Sequence, residues 1–127
     1  MFVPMRNIAV VEDNPDNRLL LQVLLGDRYA ITEYETGVLA LEGFEASVPE
    51  LVLLDISLPG MDGTEVLRRM KEEPDLASIP VIAVTAHAMS GDRERFLALG
   101  FDAYITKPIV DDQILFDAIE AWLPPQD

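Results

Sequence analysis

The chain contains no cysteine, a single histidine and a single tryptophan among its 127 residues. Without thiols, neither a disulfide framework nor thiolate chemistry is available, which fits a reducing compartment. No apolar stretch approaches the roughly 20 residues that cross a bilayer. The start, Met-Phe-Val-Pro-Met-Arg, is too short and too interrupted for a signal peptide. Basic residues are scarce as well: 9 Lys and Arg face 23 Asp and Glu, for a formal charge of −14. Nucleic acid and anionic membrane surfaces attract basic patches, so neither is an expected partner, whereas a metal cation or a basic protein surface is. Internal repeats and low-complexity linkers are absent too. What remains is the expectation of a soluble, cytoplasmic, single domain over residues 1–127, half apolar and with its core at about 7–123.

What is present is an alternation of short apolar runs with longer amphipathic segments. Residues 51–63, Leu-Val-Leu-Leu-Asp-Ile-Ser-Leu-Pro-Gly-Met-Asp-Gly, organise the rest. A four-residue apolar run stops at Asp55, and an uninterrupted run bounded by Pro59, Gly60 and Gly63 reads as a strand buried on both faces. Other runs fall at Ile8 to Val11, Ala30 to Tyr34, Val81 to Val84 and Ala103 to Thr106. Between them, Asn14 reads as an N-cap with Pro15 at the first helical position. The helix it opens carries Leu20, Val23 and Leu24 at helical spacing, with Gly26 as its stop. Thr36-Gly37 opens a second helix through Phe44, and a third carries Val66, Leu67 and Met70, with Asp62 as a turn or cap residue. Arg68, Arg69 and Lys71 form its solvated face. Ser90 looks like the start of a fourth, burying Phe96, Leu97 and Leu99 and stopping at Gly100. The fifth, about Asp111 to Leu123, presents Ile114, Leu115, Ala118, Ile119 and Trp122.

Five strands alternating with five helices imply a doubly wound α/β sandwich with a parallel sheet. Parallel strands share one direction, so the residues ending them emerge along one edge, where open sheets bind their ligands. Glu12 and Asp13, Asp55, Thr85 and Lys107 each end a run. Asp55 alone could be a local cap of the Pro-Gly loop, but four runs ending in acid pair, acid, hydroxyl and amine are read together as a site. Carboxylates brought close together resist ionisation unless a cation is present, and hard oxygen donors suit Mg²⁺. The Lys107 ammonium and the Thr85 hydroxyl match the oxygens of a phosphoryl group, which leaves Asp55 as a nucleophile forming an aspartyl phosphate.

Four segments carry a family resemblance: Val-Val-Glu-Asp-Asn at 10–14, Leu-Leu-Asp-Ile-Ser-Leu-Pro-Gly-Met-Asp-Gly at 53–63, Val-Thr-Ala-His-Ala at 84–88 and Tyr-Ile-Thr-Lys-Pro at 104–108. With them the chain resembles a receiver domain of the two-component response regulators over about Asn7 to Leu123. That resemblance implies a flavodoxin-like, five-stranded parallel sheet of order 2-1-3-4-5 with five helices. It implies that Asp55 takes a phosphoryl group from a histidine kinase or histidine phosphotransfer protein. By the same resemblance Asp13 and Asp55 are direct Mg²⁺ ligands, Glu12 reaches the metal through water and Ser57 lends its carbonyl. Lys107 and Thr85 hold the phosphoryl group, the Lys107-Pro108 bond is cis, and Thr85 with Tyr104 forms a switch. The switch repacks the face of the fourth helix, fifth strand and fifth helix, through which a downstream protein effector is contacted. The implied activity is the domain's own phosphorylation and dephosphorylation, not that of an enzyme acting on other substrates. The segment from Val84 to Asp92 resembles both hybrid-kinase receivers and short free-standing regulators.

Other readings are weaker. An aspartate-nucleophile phosphatase of the haloacid dehalogenase type needs a second aspartate two residues after the first, where Ser57 stands. A nucleotide-binding module needs a glycine-rich phosphate loop that Glu12-Asp13-Asn14-Pro15 lacks. The Asp13 to Asn17 segment fails as a calcium loop because Arg18 replaces the required glycine. A purely structural receiver that is never phosphorylated is the remaining alternative. His87 is weighed as a surface residue first and as an influence on hydrolysis second, and Tyr104 as a half-buried aromatic or the switch.

Overall fold

The computed structural model describes residues 5–86, 89–109 and 111–123. His87 therefore lies outside the described residues. Strands β1 (Asn7–Val11), β2 (Ala30–Tyr34), β3 (Leu51–Asp55), β4 (Val81–Thr85) and β5 (Ala103–Thr106) alternate with helices α1 (Pro15–Leu25), α2 (Gly37–Ala46), α3 (Gly63–Glu72), α4 (Asp92–Leu99) and α5 (Asp112–Trp122). All strand pairings are parallel, in the order β2-β1-β3-β4-β5. The fold expected from the alternation of runs is the fold observed.

The sheet is the core, and its period of two divides it into two apolar clusters. Ile8 and Val10, Leu51 and Leu53, Ile82 and Val84, and Ile105 point to one side, where Leu21, Leu25, Leu115 and Ile119 of α1 and α5 cover them. Ala9 and Val11, Val52 and Leu54, and Val81 and Ala83 point to the other, under Phe44, Val66, Leu67, Met70 and Phe96 of α2, α3 and α4. β3 and β4 are buried at every position, which explains why their sequences run apolar without alternation, whereas the edge strand β2 exposes Thr32 and Glu33.

The helix starts follow local chemistry. Asn14 Oδ1 accepts from the Asp16 and Asn17 amides at 2.8 and 3.2 Å, and Thr36 caps α2 through the Leu39 amide at 3.1 Å. Asp62 caps α3 through the Glu65 amide at 3.0 Å, and its carboxyl is held below its ordinary range chiefly by the Thr64 hydroxyl. The fourth helix departs from expectation. Gly91, not Ser90, is its N-cap, at φ 89°, and no side chain caps it; the Asp92 carboxylate instead turns back to accept the Met89 amide at 3.1 Å. Gly100, at φ 115°, closes α4 in the left-handed region expected of a terminal glycine.

Three apolar stripes also differ from expectation. In α1, Leu20 and Val23 are exposed while Leu21 and Leu25 are buried; in α4, Leu97 and Leu99 are exposed and Phe96 alone of the apolar residues is buried. In α5, Ile114 and Trp122 are exposed and Phe116 takes a buried place beside Leu115 and Ile119. The physical reason is plainest in α1. Where Leu, Val or Ile occupies nearly every position, as in Leu19 to Leu25, spacing alone selects no helical phase, and packing against the sheet selects it instead.

Candidate functional site

Register brings the site residues level. Val11 pairs with Leu54 and Asp55 pairs with Val84, so Glu12 leaves β1 abreast of Asp55; Thr85 pairs with Thr106, so Lys107 follows beyond Thr85. The period of two then sorts them by face. Glu12, Asp55 and Lys107 continue the series Ile8-Val10, Leu51-Leu53 and Ala103-Ile105, which faces α1 and α5. Thr85 continues Val81-Ala83 toward the other face, where Tyr104 packs.

Glu12 and Asp55 are 2% and 5% exposed, while Asp13 is open to solvent. Each of the three offers a carboxylate oxygen, and these oxygens lie within 4.8 Å of one another. Lys107 Nζ donates to Glu12 Oε1 and, at 3.1 Å, to Asp55 Oδ2. Burial works against the Lys107 ammonium, but hydrogen bonds and charge from Glu12 and Asp55 outweigh it, so its pKa is raised above 10.5. The other Asp55 oxygen, Oδ1, accepts the Ser57 amide at 3.1 Å. The local cap and the long-range pairing with Lys107 therefore coexist, one on each oxygen. Glu12 is further held by the Asn14 amide at 3.1 Å and Asn17 Nδ2 at 3.4 Å.

The backbone beyond Asp55 has little freedom. A side chain at Gly63 would place its Cβ 2.3 Å from the Asp55 carbonyl oxygen, and the Gly63 amide donates to the Ile56 carbonyl at 2.9 Å. Only glycine lets α3 start this close to the end of β3. Ser57 itself is exposed.

Thr85 is fully buried at the end of β4, and its carbonyl accepts the Lys107 amide at 2.8 Å. The Lys107-Pro108 peptide bond is cis. Tyr104 is half-buried and stacks on Phe96, with centroids 5.7 Å apart and planes at 23°. Its hydroxyl pKa is raised by burial and by the Asp92 carboxylate.

Sequence reasoning gave Arg18 no role, yet it holds the strand tip that carries two of the acids. Its Nη1 donates to the Glu12 and Asp13 carbonyls at 2.9 and 3.0 Å. A signal was available: a cation in the first turns of a helix opposes the helix dipole and must be held by something else.

The response regulator receiver domain family matches residues 8–120. The chain belongs to that family. Among its relatives is the polar-differentiation response regulator DivK of Brucella ovis, 42% identical over 105 residues that make up 82% of this chain and 85% of DivK. The sensor protein GacS of Pseudomonas syringae pv. syringae is 40% identical over 84% of the chain, but this receiver spans only 12% of the length of GacS. Among solved structures, the receiver domain of sensor histidine kinase PA1611 from Pseudomonas aeruginosa PAO1 superposes with a TM-score of 0.85 at 30% identity, covering 97% of this chain and 100% of that one. That crystal structure holds a magnesium ion in its active-site cleft. Among the described residues of this receiver, no helix is long and apolar enough to cross a membrane.

Proposed function

We propose that this receiver takes a phosphoryl group onto Asp55 from the phosphohistidine of a histidine kinase or a histidine phosphotransfer protein, in a Mg²⁺-dependent reaction. The observation that carries this reading is the pairing of the nearly buried Asp55 carboxylate with Lys107, beside the acids Glu12 and Asp13. The donor set fits the metal: three carboxylates offer only hard oxygens, one acid is open to solvent, and a single ammonium is too little charge to balance them. Glu12, Asp13 and Asp55 would hold the ion, with the Ser57 carbonyl as a further ligand. When bound, Mg²⁺ neutralises charge on the transferring phosphoryl oxygens.

The chain's own groups do the rest. An Asp55 carboxylate oxygen forms a bond to phosphorus while the phosphorus–nitrogen bond of the donor imidazole breaks; the electron pair returns to the ring nitrogen, which is protonated from solvent. Lys107, its raised pKa keeping it charged at neutral pH, holds a phosphoryl oxygen. The Thr85 hydroxyl holds another and couples the site to the opposite face, where Tyr104 stacks on Phe96. Beside Tyr104 lies a cavity of about 260 Å³ lined also by Arg93, Pro108 and the exposed Ile114, which supports the α4-β5-α5 face as the one an effector protein reads. Leu20 and Ile109 line the cleft that also contains Glu12 and Lys107, and with the exposed Leu19 and Val23 they offer the phosphodonor an apolar seat.

By this reading residues 1–127 are one cytoplasmic receiver domain that modifies only itself and recognises proteins, with neither nucleic acid nor membrane as a partner. Acetyl phosphate and Mg²⁺ test it. Intact-mass measurement should show one phosphoryl group on the wild type and none on Asp55→Asn or after chelation of Mg²⁺. An unmodified wild type would instead favour a structural receiver.

A further inference from the structure

Arg18 stands where local rules disfavour it. It is the fourth residue of α1, near the positive end of the helix dipole. Yet its side chain is only 15% exposed, and its recorded partners are all oxygen. Besides the Glu12 and Asp13 carbonyls, its Nε lies 3.3 Å from Glu33 Oε1 and its Nη2 3.8 Å from Glu35 Oε1. Glu33 belongs to the edge strand β2 and Glu35 follows it directly. The guanidinium thus ties the tip of the edge strand to the main chain carrying two of the three pocket carboxylates. A main-chain bond runs alongside, from the Glu12 amide to the Tyr34 carbonyl at 3.0 Å.

Two effects of opposite sign follow. The charge of Arg18 offsets the negative potential of the acids and so weakens the attraction of a cation. Its planar fork fixes the Glu12-Asp13 main chain and so strengthens binding by holding the ligands in place. We propose that the second effect dominates: Arg18 is a positioning residue for the divalent-cation pocket, itself oriented by Glu33 and Glu35. The inference rests on the metal-binding reading of Glu12, Asp13 and Asp55 given above. It extends that reading to a residue that touches neither metal nor phosphoryl group.

Calorimetric titration of Mg²⁺ into the unphosphorylated full chain distinguishes the two effects by sign. Arg18→Ala should bind Mg²⁺ roughly ten-fold more weakly than the wild type. Arg18→Lys, which keeps the charge but not the fork, should bind it several-fold more weakly, with wild-type far-UV circular dichroism. Wild-type or tighter binding by Arg18→Ala would overturn the proposal, because loss of charge alone predicts tightening. Should that variant fail to fold, Arg18→Lys decides alone: wild-type affinity overturns the proposal and weaker affinity supports it. A wild type that binds no Mg²⁺ overturns both this inference and the pocket reading beneath it, whereas a binding wild type with an indifferent Arg18 overturns the inference alone.

Discussion

Two charge clusters in this molecule are built on opposite terms. On α3, Glu65 accepts from Arg68 and Arg69 while Glu72 accepts from Arg68, with both arginines and Glu72 exposed and Glu65 partly so, and acids and bases are matched in number and wet. Glu65 is drawn down to about 2, chiefly by its hydrogen bond to Arg68. At the carboxyl edge of the sheet, Lys107 pairs with Glu12 and Asp55, both nearly out of water, and leaves the neighbouring Asp13 without a cation partner among the described residues. Matched surface pairs add little to stability. An unmatched, half-buried cluster is a standing cost, and the proposed function accounts for it by bringing a cation and a phosphoryl group to it. On the proposed reading, the α3 pairs are solvated surface charge, whereas the cluster at the sheet edge is the charge that does chemistry.

Substitutions that break the comparison should rank accordingly. The largest effect is expected from Lys107→Met, which leaves Glu12 and Asp55 without their ammonium. Metal-free stability should fall on the order of 2 kcal/mol, less than for a fully buried pair because the lysine keeps some contact with solvent. The pH dependence follows from its raised pKa. The native state holds this proton more tightly than the unfolded chain, so the stabilisation is full below 10.5 and is lost as pH rises through the native value. Alkaline denaturation of wild type and Lys107→Met should therefore converge above that point, and parallel curves would contradict the pairing.

An intermediate effect of the other sign is expected from Asp13→Asn. Among the described residues the Asp13 carboxylate has no hydrogen bond or ion pair, and it faces two other acids. Neutralising it should stabilise the metal-free protein by about 1 kcal/mol, a rise of a few degrees in Tm, while weakening Mg²⁺ binding. A fall in metal-free Tm would show that the acids are not in conflict. The smallest effect belongs to Glu65→Gln on α3, which should barely move Tm and should leave phosphorylation by acetyl phosphate untouched. A loss of phosphorylation there would erase the distinction between the two clusters.

Much of this was legible in the chain itself. The strands could be read because β3 and β4 are apolar at nearly every position, and the caps at Asn14, Thr36 and Asp62 because each bonds within its own first turn. Glu12, Asp13, Asp55, Thr85 and Lys107 could be gathered because parallel strands deliver their ends to one edge. What escaped depends on partners distant in sequence or on packing. The buried face of α1 is chosen by the sheet and not by the sequence Leu19 to Leu25, so Leu21 and Leu25 are core where Leu20 and Val23 were expected. Of these, Leu20 and Leu21 line the cleft that also contains Glu12 and Lys107. Arg18 escaped because its meaning lies in the carbonyls of a preceding strand tip and in two acids on β2 and just beyond it. The start of α4 escaped because Asp92 caps backward to Met89, and Ser90 made the more familiar signal.

The central claim is that the unmatched acids and their lysine make Asp55 the acceptor of a phosphoryl group. Borohydride reduction of the chain after treatment with acetyl phosphate and Mg²⁺, followed by peptide mass mapping, locates the acyl phosphate directly. The account predicts reduction at Asp55 alone, in the peptide that also carries Ser57. Reduction at Glu12, at Asp13 or at an acid outside the pocket, with Asp55 intact, would contradict it.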